Sequence, residues 1–272
     1  MRIRPLLPLV LVVVAGCHAP TGSDTFTWTG TVPAGAWLRL RNLNGTVLVA
    51  RAEDGVVRIR GVKHYVGGRP EAVRFVANQE GPDVVVCALW GAHGGSCSGE
   101  RYGSSRGKGG ALWRRLLYHE REVNVEFVVA VPAGVRVDAS TVNGRITGAD
   151  VPGEVRVATT NGGVAVTAIG GPVHARTVNG RVQVRVDSLA PTAELDAETV
   201  NGTVTALAPA SLAGDVELST VNGSARTDFA LSGGTASAKQ VRARVGAGGP
   251  KLRLKAVNGN VRLLRVGTGE EQ

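Results

Sequence analysis

Past Cys17 the 272-residue chain has no apolar run approaching the 18 residues that would cross a bilayer, which excludes a helical membrane span from the remainder. Catalytic signatures are missing as well. No GxSxG, HExxH, Walker or Rossmann pattern occurs, and the Gly-rich stretches read as turns. The five histidines are scattered and the acids lie singly along candidate strands, so nothing marks the paired carboxylates that polysaccharide cleavage would need. Only three cysteines are present and no CxxC pair, which leaves a zinc site or a thiol nucleophile without support. No catalytic, cofactor-binding or metal-binding residue is therefore assigned, and a polysaccharide-active β-helix enzyme is kept as a remote alternative.

What is present begins at the N-terminus. Met1-Arg-Ile-Arg-Pro precedes an apolar run from Leu6 to Ala15 and then Val14-Ala-Gly-Cys17, which reads as a signal peptide over 1–16. The last four residues have the form of a bacterial lipobox, with Cys17 as the acylated first residue of the mature chain. Several acyl chains on one residue suffice for stable anchoring, whereas a single chain is marginal. The Thr-, Ser- and Gly-rich residues that follow read as a flexible tether, giving 17–34 as anchor plus tether. His18 carries no inner-membrane retention signal of the Asp type, which favours the outer membrane in a Gram-negative cell. The formal charge of +9 falls to +7 once Arg2 and Arg4 leave with the leader. An exported basic chain meets anionic lipid, lipopolysaccharide or polysaccharide first, so nucleic acid is not an expected partner.

The body of the chain repeats. Thr-Val-Asn-Gly ends at Gly144, Gly180, Gly202 and Gly223, with variants ending at Gly45, Gly162 and Gly259. The corner residues are thus Asn44, Asn143, Asn161, Asn179, Asn201, Asn222 and Asn258, each followed by one of those glycines. From Asn143 the asparagines are 18, 18, 22, 21 and 36 residues apart, a period that signals a stacked repeat. Each unit is a period-two strand ending in a turn: Val173, Ala175 and Thr177 share one face, and His174 and Arg176 the other. An Asn-Gly corner suits a type I′ hairpin. It suits equally a parallel solenoid in which Gly takes a left-handed corner and inward Asn side chains bond from coil to coil. Stacking also explains why the preceding Thr-Val recurs, and it is favoured. The expected fold is all-β, a parallel β-solenoid of about ten 18–22-residue coils with one irregular insertion; an antiparallel β-sandwich or meander is the alternative. Thr235 to Val241 would be a coil that has lost its Asn-Gly.

Residues 88–122 break the period. Cys87 and Cys97 lie ten residues apart in an oxidising compartment, so a disulfide is the natural pairing. Trp90, Arg101, Arg106, Trp113, Arg114, Arg115 and Tyr118 cluster here and would form a surface for membrane, glycan or partner protein. Covering of exposed solenoid core by Trp113, Leu116 and Leu117 is the competing reading. Arg145 and Arg181, two coils apart after Asn-Gly, are outward residues suited to anionic polysaccharide, or else simply a solvated strand face.

The Asn-Gly repeats, the lipobox, Asp83-Val-Val-Val-Cys87 with its second cysteine, and Val123-Asn-Val-Glu-Phe-Val-Val-Ala-Val-Pro-Ala-Gly-Val135 together resemble the putative-adhesin domain family of unknown function from bacterial envelope lipoproteins. The resemblance spans about 35–266 and implies a β-solenoid in the cell envelope, with no site residues to carry over. Residues 267–272 read as a disordered tail. The expected function is a non-catalytic lipid-anchored binding or structural module, held to the membrane through Cys17 and binding an anionic glycan, surface polymer or envelope protein. An envelope-stress or assembly factor that docks a periplasmic partner is the alternative. No cofactor is expected, and the oligomeric state is open.

Overall fold

The structure, a computed structural model, describes residues 21–66, 70–91, 95–103 and 123–267. Apart from a 3-10 turn at Pro70–Ala72, its regular elements are strands. One coil shows how the sequence makes them. In Val155–Asn161, Val155, Val157 and Thr159 are buried while Arg156 and Ala158 are exposed. The chain turns at Gly162-Gly163, and Val164–Gly170 then buries Val164, Val166 and Ala168. A second corner at Gly170 to Pro172 brings Val173–Asn179 back in parallel on Val155–Asn161, with Val155 facing Val173, Thr159 facing Thr177 and Asn161 facing Asn179. The register shift equals the 18-residue period, so like side chains sit over like. The fold is a β-solenoid.

The coils build two sheets around one apolar core. Sheet I has eleven strands, in spatial order Val73–Glu80, Asp83–Trp90, Trp37–Arg41, Arg136–Asn143, Val155–Asn161, Val173–Asn179, Glu194–Asn201, Lys251–Asn258, Gly214–Asn222, Gln240–Val245 and Leu231–Ala236. Sheet II has ten: Thr21–Gly30, Val57–Val66, Asn124–Val131, Val47–Arg51, Ile146–Pro152, Val164–Gly170, Val182–Leu189, Val204–Ala208, Val261–Arg265 and Ala225–Thr227. Inward ladders such as Val137, Val155, Val173, Leu195, Leu252 and Val216 fill the space between them. Each of these is no more than 2% exposed, and each contributes about 1.5–3 kcal/mol of burial.

Three features of the fold go beyond or against the sequence reading. Among the described residues seven coils carry Asn-Gly, and they are not stacked in chain order. The coil that begins at Trp37 lies between Asp83–Trp90 and Arg136–Asn143, and the coil that begins at Lys251 lies between Glu194–Asn201 and Gly214–Asn222. Secondly, Thr235 to Val241 is not a degenerate coil: Leu231–Ala236 and Gln240–Val245 form an antiparallel hairpin that extends sheet I. Its connection is too short to cross to sheet II. Thirdly, the tether expected over 17–34 is interrupted, because Thr21–Gly30 pairs antiparallel with Val57–Val66 along ten residues. Alternation hidden among its Thr residues lets Phe26 and Trp28 pack on the core. The tail expected at 267–272 falls, but for Gly267, outside the described residues.

Out-of-order stacking has a visible electrostatic cause on the outer face of sheet I. Glu194, Asp196 and Glu198 face Lys251, Arg253 and Lys255 across one strand pair. Across the other, Lys251 and Arg253 face Asp215 and Glu217. Chain-order stacking would set two acidic strands side by side, and like charges directly opposite are destabilising. The basic final strand separates them. At the other end Arg39 bonds Asp83 at 2.6 Å and Arg41 bonds Asp138 at 2.6 Å, joining Trp37–Arg41 to both neighbours.

Part of the period-breaking stretch forms a small hairpin, Ser96–Cys97 with Tyr102–Gly103. It lies on the outer side of Asp83–Trp90, held by the Cys87–Cys97 disulfide, by Asn78 Nδ2 donating to the Cys97 carbonyl at 2.8 Å and by Tyr102 OH donating to the Ala88 carbonyl at 2.8 Å. Val85, Cys87 and Leu89 are buried beneath it and half-buried Val76 packs against them, a second apolar cluster outside the solenoid core. The double substitution Cys87→Ala/Cys97→Ala is expected to cost about 3 kcal/mol by freeing a loop of this length. Urea unfolding checks this, and an unchanged midpoint would show that the disulfide does not hold the hairpin down.

Candidate functional site

The corner that the repeat builds is the most regular surface of the molecule. Thr, the first residue of Thr-Val-Asn-Gly, is its inward member. Thr141, Thr159, Thr177, Thr199 and Thr220 are buried, and each hydroxyl donates to a glycine carbonyl of the adjacent coil at 2.7–3.1 Å. In the first coil Asn42 takes this place and its Nδ2 donates to the Val125 carbonyl at 2.9 Å. Strand alternation explains the arrangement, since Thr177 shares a face with Val173 and Ala175.

The asparagines point outward, which corrects the inward placement expected from the sequence. They do form the ladder. Asn143 Nδ2 donates to Asn44 Oδ1 at 2.8 Å, and the chain continues through Asn161, Asn179, Asn201, Asn258 and Asn222 at 2.8–2.9 Å per step. The order along the ladder is the spatial order of the coils, so the intercalated final coil completes it. The positive-φ corner expected for glycine holds at Gly45, Gly162, Gly180, Gly202 and Gly259, where φ is 115–158°. A second demand adds to it: at Gly162, where φ is 151°, a Cβ would also overlap the Gly144 carbonyl. The same overlap with a neighbouring coil's carbonyl recurs at the other six corners.

Valine, the remaining member of the repeat, is half-buried at Val142 and exposed in four other coils. Val178, Val200, Val221 and Val257 are 40%, 39%, 58% and 41% exposed, in a row beside the asparagines. Sequence reasoning passes over them, although alternation places Val178 on the outward face with His174 and Arg176. On the other side of the apex, Arg145 and Arg181 flank Gly163, whose missing side chain leaves a notch between them. Both are exposed, and neither guanidinium makes an ion pair or hydrogen bond among the described residues. The edge therefore offers an apolar row, an amide row and two free guanidinium groups carried by backbones about 9.6 Å apart, given strands spaced by about 4.8 Å.

Arginines on the face of sheet I are arranged differently. Arg176 bonds Asp196 at 3.0 Å and lies 3.5 Å from Glu198. Arg136 and Arg156 lie 4.4 and 4.6 Å from the centre of the Trp37 ring, and both reach Glu154. These side chains act as cross-strand pairs. Burial disfavours the charge on Asp83, but the Trp37 amide and the Arg39 guanidinium outweigh it and hold its carboxyl below the usual carboxylate range. A depressed folded-state pKa stabilises the protein above the unfolded value, near 4, and that contribution is lost as pH falls through the folded value. Asp83→Asn is therefore expected to flatten the loss of stability under acid. Unfolding midpoints between about pH 5 and 2 check this, and parallel curves for the two proteins would contradict it.

The insertion residues separate into two groups. Trp90 is half-buried and packs against the core, and Arg101 closes the small hairpin through mutual bonds with Ser98. Arg106, Trp113, Arg114, Arg115 and Tyr118 lie outside the described residues, as does Cys17. Among the described residues no three metal-ligating side chains converge. Outside sheet II, a shallow depression of about 330 Å³ is lined by Ala50, Arg51, Glu53, Ala149, Asp150 and Ile169. It forms where Asp150, at φ 50°, bulges the strand.

Residues 133–264 match the family model described as Toastrack DUF4097. No curated protein matches the chain. Among solved structures, a putative cell adhesion protein from Clostridium sporogenes is similar over 89% of this chain and 100% of its own, at 12% identity and a TM-score of 0.47. A putative adhesin from Bacteroides fragilis covers 89% and 97%, at 8% identity and a TM-score of 0.27.

Proposed function

Because residues 133–264 belong to the Toastrack family, a scaffold of stacked strands, we propose that the protein is a non-catalytic, lipid-anchored envelope module that binds an extended anionic polymer along its Val-Asn edge. The observation that carries this reading is the exposed valine row in register with the asparagine ladder. Each ladder amide keeps one N–H and one acceptor position free. Valines supply apolar contact for the C–H faces of sugar rings, and Arg145 and Arg181 supply charge for carboxylate or sulfate groups. Neighbouring coils lock the asparagine amides, so little of their side-chain entropy is lost on binding.

Envelope location rests on the signal-like run from Leu6 and on Cys17. Acylation there leaves residues 18–20 before the first strand, at most about 14 Å of chain, so this end of the rod would lie against the bilayer. Palmitate labelling of the wild type and of Cys17→Ala tests the anchor, and label retained by the variant would remove it. For binding, the probes are alginate as a carboxylated polysaccharide and dextran as a neutral one. Alginate is expected to be retained over dextran, and Arg145→Gln/Arg181→Gln to weaken retention roughly tenfold at unchanged melting temperature. Equal binding of the two polymers, or no response to the double substitution, would remove the edge as the site.

A further inference from the structure

Sheet I ends at Leu231–Ala236, and all six residues of this strand are exposed. Among the described residues it pairs on one side only, antiparallel to Gln240–Val245. Sheet II stops short at Ala225–Thr227, so the last two strands of sheet I overhang the rod. An open strand edge is usually blunted by charge, proline or a cover, because its free N–H and C=O groups template pairing with another chain. From Phe229 to Ala238 there is neither a charged residue nor a proline, and the one interruption of the strand is a bulge at Gly233-Gly234, where its register with Gln240–Val245 shifts. The opposite border of the same sheet, Val73–Glu80, is covered: Asn78 bonds the Cys97 carbonyl and Glu80 accepts from the Gly99 amide at 3.0 Å.

Chemistry beside the open edge indicates what fits it. On this face the basic strands lie next to acids. Lys251 and Arg253 stand between acidic strands on both sides. Arg242 and Arg244 have Glu217 and Asp215 on one side, at 3.0 and 3.6 Å, and only Thr235 and Ser232 on the other. Both remain about two-thirds exposed, at 67% and 70%. Arginines in this protein reach two strands away, as Arg156 does to the Trp37 ring, so Arg242 and Arg244 reach past small Ser232 and Thr235 to whatever lies beyond. On the inward side Leu231 faces Val245 and Ala236 faces Val241, an apolar row.

We propose that Leu231–Ala236 is a strand-addition site, which takes an extended segment of a partner protein alternating acidic and apolar side chains as the twelfth strand of sheet I. Backbone hydrogen bonds supply the attachment, and the acidic positions facing Arg242 and Arg244 supply selectivity and register. The inference is independent of the Val-Asn edge, since it uses a different end of the rod and a different class of partner.

Hydrogen exchange on the full chain tests it, with an end-capped synthetic peptide of alternating valine and glutamate and its valine-lysine counterpart as probes. The acidic peptide is expected to slow amide exchange across 231–236 by on the order of tenfold, and the lysine peptide to leave it unchanged. Ser232→Lys/Thr235→Lys, both on exposed side chains, is expected to abolish the effect without moving the melting temperature. Equal protection by both peptides, or protection by neither, would overturn the proposal. Concentration-dependent protection without peptide, removed by the same double substitution, would assign the edge to a second copy of this chain and overturn it equally.

Discussion

Gly162→Ala is expected to cost the fold about 3–5 kcal/mol, among the largest effects available to a single methyl group. The added Cβ would overlap the Gly144 carbonyl, and the backbone on either side is held. Gly162 N–H donates to the Asn179 carbonyl at 2.9 Å, and its own carbonyl accepts from Thr177 Oγ1 at 2.9 Å. Gly144 cannot recede, because it packs with the same closeness on Gly45. A displacement at one corner therefore pushes on every coil beyond it. Gly170→Ala is the control. Gly170 has φ 82°, and a Cβ there meets nothing within 4 Å, so only the backbone preference of about 1 kcal/mol is lost. Urea unfolding of both variants separates the two causes. Equal costs would show that conformation, and not inter-coil contact, selects glycine at the corners.

Replacing Lys251, Arg253 and Lys255 together by glutamate is expected to expel the final coil from its slot. Five facing acid-base pairs then change from attraction to repulsion: three with Glu194, Asp196 and Glu198, and two with Asp215 and Glu217. At about 0.2–1 kcal/mol per pair in each direction, the swing is on the order of 5 kcal/mol, comparable to the stability of a whole domain. Leu252, Leu254 and Leu263 would leave the core with the coil, and the asparagine ladder would break between Asn201 and Asn222. Hydrogen exchange should show 251–265 unprotected while 155–189 stays protected. The glutamine version of the triple substitution should fall between wild type and the glutamate version. Identical behaviour of the two variants would mean that charge does not determine the position of the coil.

Much of this architecture is legible in the order of the residues. Alternation in Val173, Ala175 and Thr177 gives the inward face, and the 18-residue step gives the register that pairs Asn161 with Asn179. The disulfide pairs the two cysteines that the sequence places ten residues apart, Cys87 and Cys97. Elsewhere a local pattern carries two meanings. Thr21–Gly30 has the composition of a linker, yet it is a strand because Val57–Val66 offers it an edge and Phe75 offers Phe26 a stacking partner at 4.9 Å. Gln240 falls 18 residues after Asn222 and so mimics a missing corner, while its strand runs antiparallel. The exposed valines escape notice because recurrence in a repeat reads as packing.

The sequence alone determined the unit: two short strands, a Thr-Val-Asn-Gly corner and a stacking register, all set by contacts that repeat every coil. Only the tertiary structure decided the order of the units and which member of the corner faces water. Coils with the same corner fit one another almost equally well, so their repeat carries no information about sequence order. That choice falls to non-repeating residues far apart in the chain, above all the acids of Glu194–Asn201 and Gly214–Asn222 and the bases of Lys251–Asn258. The orientation of the corner is likewise a property of two coils together. A threonine hydroxyl finds its acceptor, and an asparagine its neighbour, only once the adjacent coil is in place.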